Sequence, residues 1–190
     1  ERHIRYDDVR NLKSVVTTEL NVEGNPTPDF VALCREVRPE QVTLVPDAPD
    51  AITSNAGWNV VQHQGFLRDI VAELKSYGAR VSIFLDPDPA LIEAAARTGT
   101  DRIELYTEAY ARQYAHDRAA AILPYRDTAQ AAVAAGLGLN AGHDLDLENL
   151  AYLAQELPGL QEVSIGHALV ADALYLGLEN TVQLYKRQLK

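Results

Sequence analysis

Residues 137–145 read Leu-Gly-Leu-Asn-Ala-Gly-His-Asp-Leu. The first four form a short apolar strand pattern, Leu137–Asn140. The next three, Ala141, Gly142 and His143, are small residues followed by a histidine, and a helical pattern is expected straight after, from Asp144 or Asp146. Small residues allow a backbone to approach a ligand closely, and a helix N-terminus behind them favours an anion. The same grammar returns in Val163–Leu169, Val-Ser-Ile-Gly-His-Ala-Leu, with His167 24 residues after His143. Two strand–Gly–His–helix units predict one shared site at the C-terminal ends of adjacent strands.

Working outward, the chain alternates strand and helix patterns throughout. Strands are expected near residues 18–23, 41–45, 80–85, 102–106, 137–140 and 161–165. Helices are expected from Asp7 or Asp8 to about Val16, after Pro26-Thr27-Pro28 to Val37, over Val60–Tyr77, over Pro87–Thr98, over Ala109–Ala135 with a kink or restart at Pro124, and from Ala168 to Gln188. Val9, Leu12, Val15 and Val16 should share the buried face of the first helix. Strict alternation of strand and helix predicts a parallel sheet. Candidate polar residues recur at strand ends: Glu23, Asp86, Glu104 with Thr107, His143 and His167. Such a spread favours a closed barrel over an open sheet, which would gather them at one switch point. The expected fold is therefore a single α/β domain over residues 1–190, a parallel (β/α)8 TIM barrel of which this sequence supplies about six βα units. The chain has no methionine and opens on a charged helix with no strand before it. Loss of two N-terminal strands is expected from this.

Composition narrows the function. The 190 residues carry a net charge of −10, which argues against a nucleic-acid surface. No apolar run approaches the ~18 residues of a membrane span. A lone Cys34 cannot form an internal disulfide, and a cytoplasmic location is the default. There is no His-Glu-x-x-His and no paired carboxylate at ligand spacing, so metal binding is the weaker reading; no cofactor is expected.

Glu23 ends a strand beside Gly24 and is a candidate general base, since partial burial raises a carboxyl pKa toward working pH. A salt-bridged strand end is the alternative. His143 and His167 can exchange protons near neutrality. Either alone would read as structural, and their repeated context favours function. Gly166 and His167 at the start of the last helix resemble the phosphate site that barrels build from their last two strands. If a strand precedes them, His3 and Arg2 lie at the barrel mouth and can contact an anionic substrate; a charged, frayed terminus is otherwise the favoured reading. Thr53, in the irregular stretch Asp47–Trp58, could donate to a substrate oxygen, though most loop threonines do not. A loop of that length between tight βα units is usually functional or disordered.

Taken together, Arg2-His-Ile4, Leu20-Asn-Val-Glu-Gly-Asn25, Leu44–Trp58, Val81–Asp86, Ile103–Thr107, Leu137–Leu145 and Val163–Leu169 resemble the pyridoxine 5′-phosphate synthase family, the deoxyxylulose-phosphate-dependent route to vitamin B6. The matching stretches run in order across the whole chain. The resemblance implies that Glu23 is a proton acceptor and His143 a proton donor. It implies that Thr53 and His3 contact deoxyxylulose phosphate, and that Gly166 and His167 contact 3-amino-2-oxopropyl phosphate. The family usually has glycine where this chain has Asp144, and the contact carried over there is the backbone N–H. The family's Asn-x-Asp-His and His-x-Arg strand ends, the second holding a catalytic histidine, have no counterpart in these residues. The implied partners are small phosphorylated substrates, with inorganic phosphate released and a homo-octamer as the assembly. Two other readings stay open: another phosphate-binding barrel isomerase or epimerase, and a truncated barrel without catalysis.

Overall fold

Gln41-Val-Thr-Leu44 is buried at every position, the signature of a parallel strand covered on both faces. It is the second strand of the computed structural model, which describes residues 3–47, 54 and 56–190. Thr53 and Arg2 lie outside the described residues. The chain forms two compact units, one from residues up to Asp86 together with Glu93–Glu104, the other from Pro87–Ile92 together with Leu105–Lys190.

The first unit holds α1 (Tyr6–Val15), β1 (Asn21–Gly24), α2 (Pro28–Val37), β2 (Gln41–Leu44), α3 (Gln64–Ser76) and β3 (Arg80–Leu85). β1 pairs with β2 and β2 with β3, all parallel. Val42, Leu44, Val81, Ile83 and Leu85 form the core of this sheet with Leu67, Val71 and Leu74 of α3. α2 starts where proline allows it: Thr27 Oγ1 accepts from the backbone N–H of Phe30 at 3.3 Å, with Pro28 at the first helical position. The helix ends at Arg38, in a left-handed conformation, just ahead of Pro39.

α4 (Ile92–Ala96) and β4 (Arg102–Tyr106) follow a 3₁₀ turn at Pro89–Leu91. The second unit continues with α5 (Glu108–Ala134), β5 (Gly138–Gly142), α6 (Leu150–Glu156), β6 (Leu160–Ser164), α7 (His167–Leu176) and α8 (Leu178–Gln188). β5 and β6 are parallel, with Gly142 opposite Ser164 and a register shift between Leu139 and Asn140. Six βα units of the expected α/β type are therefore present. No described helix is long and apolar enough to cross a membrane.

Several boundaries differ from expectation for identifiable reasons. α1 begins one residue earlier than Asp7, with the Asp8 carboxylate accepting from the Arg5 N–H at 2.9 Å. Val15 is 67% exposed and lies off the buried face. The helix expected over Pro87–Thr98 is divided between the 3₁₀ turn and α4. Pro124 does not interrupt α5. The break falls at Asp117, which is extended (φ −156°, ψ 88°) and caps the following segment by accepting from the Ala120 N–H at 3.0 Å. The single C-terminal helix is two, because Gly177 adopts φ 79° between α7 and α8, a conformation that suits a residue without Cβ.

Candidate active site

In the first unit the strand register sets out a polar row. Glu23 pairs with Thr43 and Thr43 with Ser82, and one step toward the strand beginnings Asn21 pairs with Gln41 and Gln41 with Arg80. Side chains on alternate residues share a face, so both rows project from the same side of the sheet. The lower row is knitted together. Gln41 Oε1 accepts from Arg80 Nε at 2.7 Å and from Arg102 Nη1 at 3.2 Å, and Arg80 also pairs with Glu19. The hydrogen bond from Arg80 holds the Glu19 carboxyl below the usual carboxylate range. Asn21 and Thr43 exchange contacts at 3.2 Å. By the same alternation Arg102 and Glu104 share a face of β4, and Glu104 is fully buried.

Along β1 lies a cavity of about 610 Å³, lined among others by His3, Asn21, Glu23, Asn25, Thr27 and Asp47. That size fits a small-molecule ligand. Glu23 is exposed to it and His3 is on its wall, so two residues singled out from sequence are brought together. Asn25 and Asp47 had not been singled out. Asn25 Nδ2 donates to the Asp47 carbonyl at 2.9 Å, and Asp47 accepts from the Ser54 hydroxyl. Asn25 follows Glu23 by two residues, and that proximity was the available signal. Asp86 turns out to have a structural partner: its Oδ1 accepts from the Gly57 N–H at 3.0 Å. A Cβ on Gly57 would sit 2.3 Å from the backbone nitrogen of Asp86, so only glycine fits there. Next to it Trp58 is anchored through Nε1 to the Leu44 carbonyl at 3.0 Å and through its backbone N–H to the Phe84 carbonyl at 2.9 Å.

In the second unit, the two Gly-His turns leave the same end of neighbouring parallel strands, as Gly142 lies opposite Ser164. The first turn departs from expectation. β5 runs on through Gly142, and no helix starts behind His143: α6 begins only at Leu150. The reason is local conformation. His143 and Asp144 have φ 87° and 57°, and Asp146 and Asn149 then close a turn on each other. The anion-favouring helix terminus inferred for this turn is thus absent. The half-buried imidazole of His143 packs edge-on against Tyr106, ring centroids 5.3 Å apart. Thr107, fully buried, shares its single Oγ1–H between the carbonyls of Gly142 (2.6 Å) and His143 and donates from its N–H to Gly142 at 2.9 Å. Asp144 is exposed.

The second turn matches expectation. Gly166 is the N-cap of α7 and His167 its first residue, both exposed. A Cβ on Gly166 would meet nothing within 4 Å.

Comparison with known proteins decides the family. A model described as pyridoxal phosphate biosynthesis protein PdxJ matches residues 1–190. The chain belongs to the PdxJ family. It is therefore an enzyme of vitamin B6 synthesis. A relative in Cytophaga hutchinsonii named pyridoxine 5′-phosphate synthase is 59% identical over 190 residues, covering 100% of this chain and 80% of the relative. One in Porphyromonas gingivalis with the same name is 58% identical over 189 residues, covering 100% and 79%. Among solved structures, a variant of the tryptophan synthase α-subunit from Pyrococcus furiosus superposes with a TM-score of 0.62 at 16% identity, covering 96% of this chain and 70% of that one. Phosphoribosylanthranilate isomerase from Thermotoga maritima gives 0.58 at 13% identity, covering 98% and 79%. At these identities the likeness shows the fold alone: this PdxJ-family chain has the α/β barrel architecture, supplying six of its βα units.

Proposed function

We propose that Glu23 and His143 move the protons in the synthesis of pyridoxine 5′-phosphate, the activity of this family. The observation that carries the reading is the 59% identity, along the whole chain, to a protein of that name. The reaction condenses 1-deoxy-D-xylulose 5-phosphate with 3-amino-2-oxopropyl phosphate. The amine of one substrate forms an imine with the ketone of the other. Protons are then shifted, the ring closes, and water and inorganic phosphate leave, a synthase reaction of the transferase class.

Each step needs a positioned acid or base. Glu23, at the end of β1 and on the cavity wall, is the base. His143, held against Tyr106, is the donor. His3, on the same cavity wall as Glu23, and Thr53 contact deoxyxylulose phosphate. Gly166, His167 and the first turn of α7 hold the phosphate of the amino ketone, supported by the open space at Gly166 and by the partial positive charge of a helix N-terminus. The Asp144 N–H adds a contact to that substrate. The same reading carries a homo-octameric, cytoplasmic enzyme, for which sedimentation gives the assembly state.

Incubating the protein with both phosphorylated ketones and following pyridoxine 5′-phosphate by its absorbance tests the activity. Product should require both substrates. Turnover of a single sugar phosphate, or no product at all, would overturn the reading.

A further inference from the structure

We propose that Asn149 is a positioning residue, whose side chain clasps the left-handed His143–Asp144 turn and so fixes the His143 imidazole for proton donation. The second half of that statement rests on the reading of His143 as the donor.

The turn needs holding. Neither His143 nor Asp144 is glycine, yet both have positive φ, 87° and 57°. In that region Cβ crowds the following carbonyl, so two such residues in succession are a conformation the isolated segment would leave. Strain of this kind persists only where surrounding contacts over-determine it. The contacts here converge on one side chain. Asn149 is 3% exposed, and both ends of its amide are used. Nδ2 donates to the Asp144 carbonyl at 3.1 Å, and Oδ1 accepts from the Asp146 N–H at 3.1 Å. Asp146 answers through Oδ1, which accepts from the N–H groups of Glu148 and Asn149, each at 2.9 Å.

The clasp is itself anchored. The Asn149 carbonyl accepts from Tyr110 Oη at 2.7 Å. Tyr110 is fully buried, and burial pushes its phenol well above the ordinary range, so it stays a neutral donor. On the other side Thr107 holds the carbonyls of Gly142 and His143. The imidazole thus projects from a backbone pinned before and after it. Asn149 itself lies six residues along the chain from His143, and its amide acts on the turn through the Asp144 carbonyl and the Asp146 N–H.

The test uses Asn149→Ala, which removes both arms, and Asn149→Asp, which keeps an acceptor for the Asp146 N–H and loses the donor to Asp144. Both should fold. Both should lose kcat by ~10- to 10²-fold, the scale of a misplaced catalytic group, with KM changed less than about threefold. Asp144→Gly added to either should recover most of the loss, because glycine adopts φ 57° without help. In the substrate-free protein, the His143 ring-proton signals should shift and broaden in Asn149→Asp and return toward wild type in the double variant. Turnover within twofold of wild type in the folded variants, failure of Asp144→Gly to restore it, or failure of both single variants to fold would overturn the proposal. If the ring signals respond as expected but wild type makes no pyridoxine 5′-phosphate, the clasp stands and the role given to His143 falls. If the ring signals do not respond, the clasp falls whatever the activity.

Discussion

Glu23 lies directly opposite Thr43 in the register of β1 and β2, while the Thr43 hydroxyl is engaged with Asn21 in the row beneath. Thr43 is therefore committed to the sheet's own polar row, and the Glu23 side chain stands on the wall of the 610 Å³ cavity. Glu23→Gln keeps the shape and deletes the base. Turnover should fall by ~10²–10⁴, with substrate affinity in calorimetry within a few-fold of wild type. Activity within a few-fold of wild type would reassign Glu23 to a structural role.

Gly166 offers an unusually clean substitution. Nothing lies within 4 Å of where its Cβ would be, so Gly166→Val should fold and melt like wild type. If the first turn of α7 holds phosphate, the valine side chain will occupy the approach to its N–H groups and weaken binding of 3-amino-2-oxopropyl phosphate strongly. His167→Ala should weaken it less. Unchanged affinity in Gly166→Val would place the anion elsewhere.

Gly57 is the opposite case. Its missing Cβ would press on the backbone of Leu85 and Asp86, which cannot swing aside as a side chain can. Gly57→Ala should cost ~1–3 kcal/mol of stability, the usual range for forced overpacking. Chemical denaturation of the two proteins measures it.

Glu40 titrates far from its ordinary range. The hydrogen bond from Lys13, and then the backbone N–H groups of Leu20 and of Glu40 itself, lower its pKa to about 2. In the unfolded chain a glutamate titrates near ~4.3. The folded pKa is the lower of the two, so its stabilising contribution is complete above about pH 4.3 and is lost as pH falls through about 2. The pair is partly exposed, which limits its worth to under ~1 kcal/mol. Lys13→Ala should therefore lower stability slightly at pH 7 and narrow the gap from wild type as pH falls toward 2, read from urea midpoints at each pH.

The strand positions, the six-unit alternation and the second Gly-His turn were legible in sequence because each rests on local pattern. Buried runs such as Val81–Leu85 are continuous, and Thr27-Pro28 states a helix start outright. What was hidden depended on contacts or conformations without a residue signature. Asp117 rather than Pro124 breaks α5, since an aspartate can cap a new segment with its own side chain while a proline costs one hydrogen bond inside a run otherwise held. The turn after His143 was read as a helix start because Asp144 and Asp146 look like caps; positive φ at His143 and Asp144 is not written in residue type. Asn149 carried no signal at all, being one polar residue among several until Asp144 and Asp146 are seen on either end of its amide.

Trp58 is the chain's only tryptophan. It is nearly buried, bonded through its indole to the end of β2 and through its backbone to β3, and its ring meets His63 edge-on with centroids 5.6 Å apart. The chain therefore carries a single indole beside nine tyrosines, so its tryptophan emission comes from one address rather than being averaged over many. Its emission reports on the polarity around one indole N–H. A change in that spectrum when substrate is added would register movement at the root of the Asp47–Trp58 segment without any label.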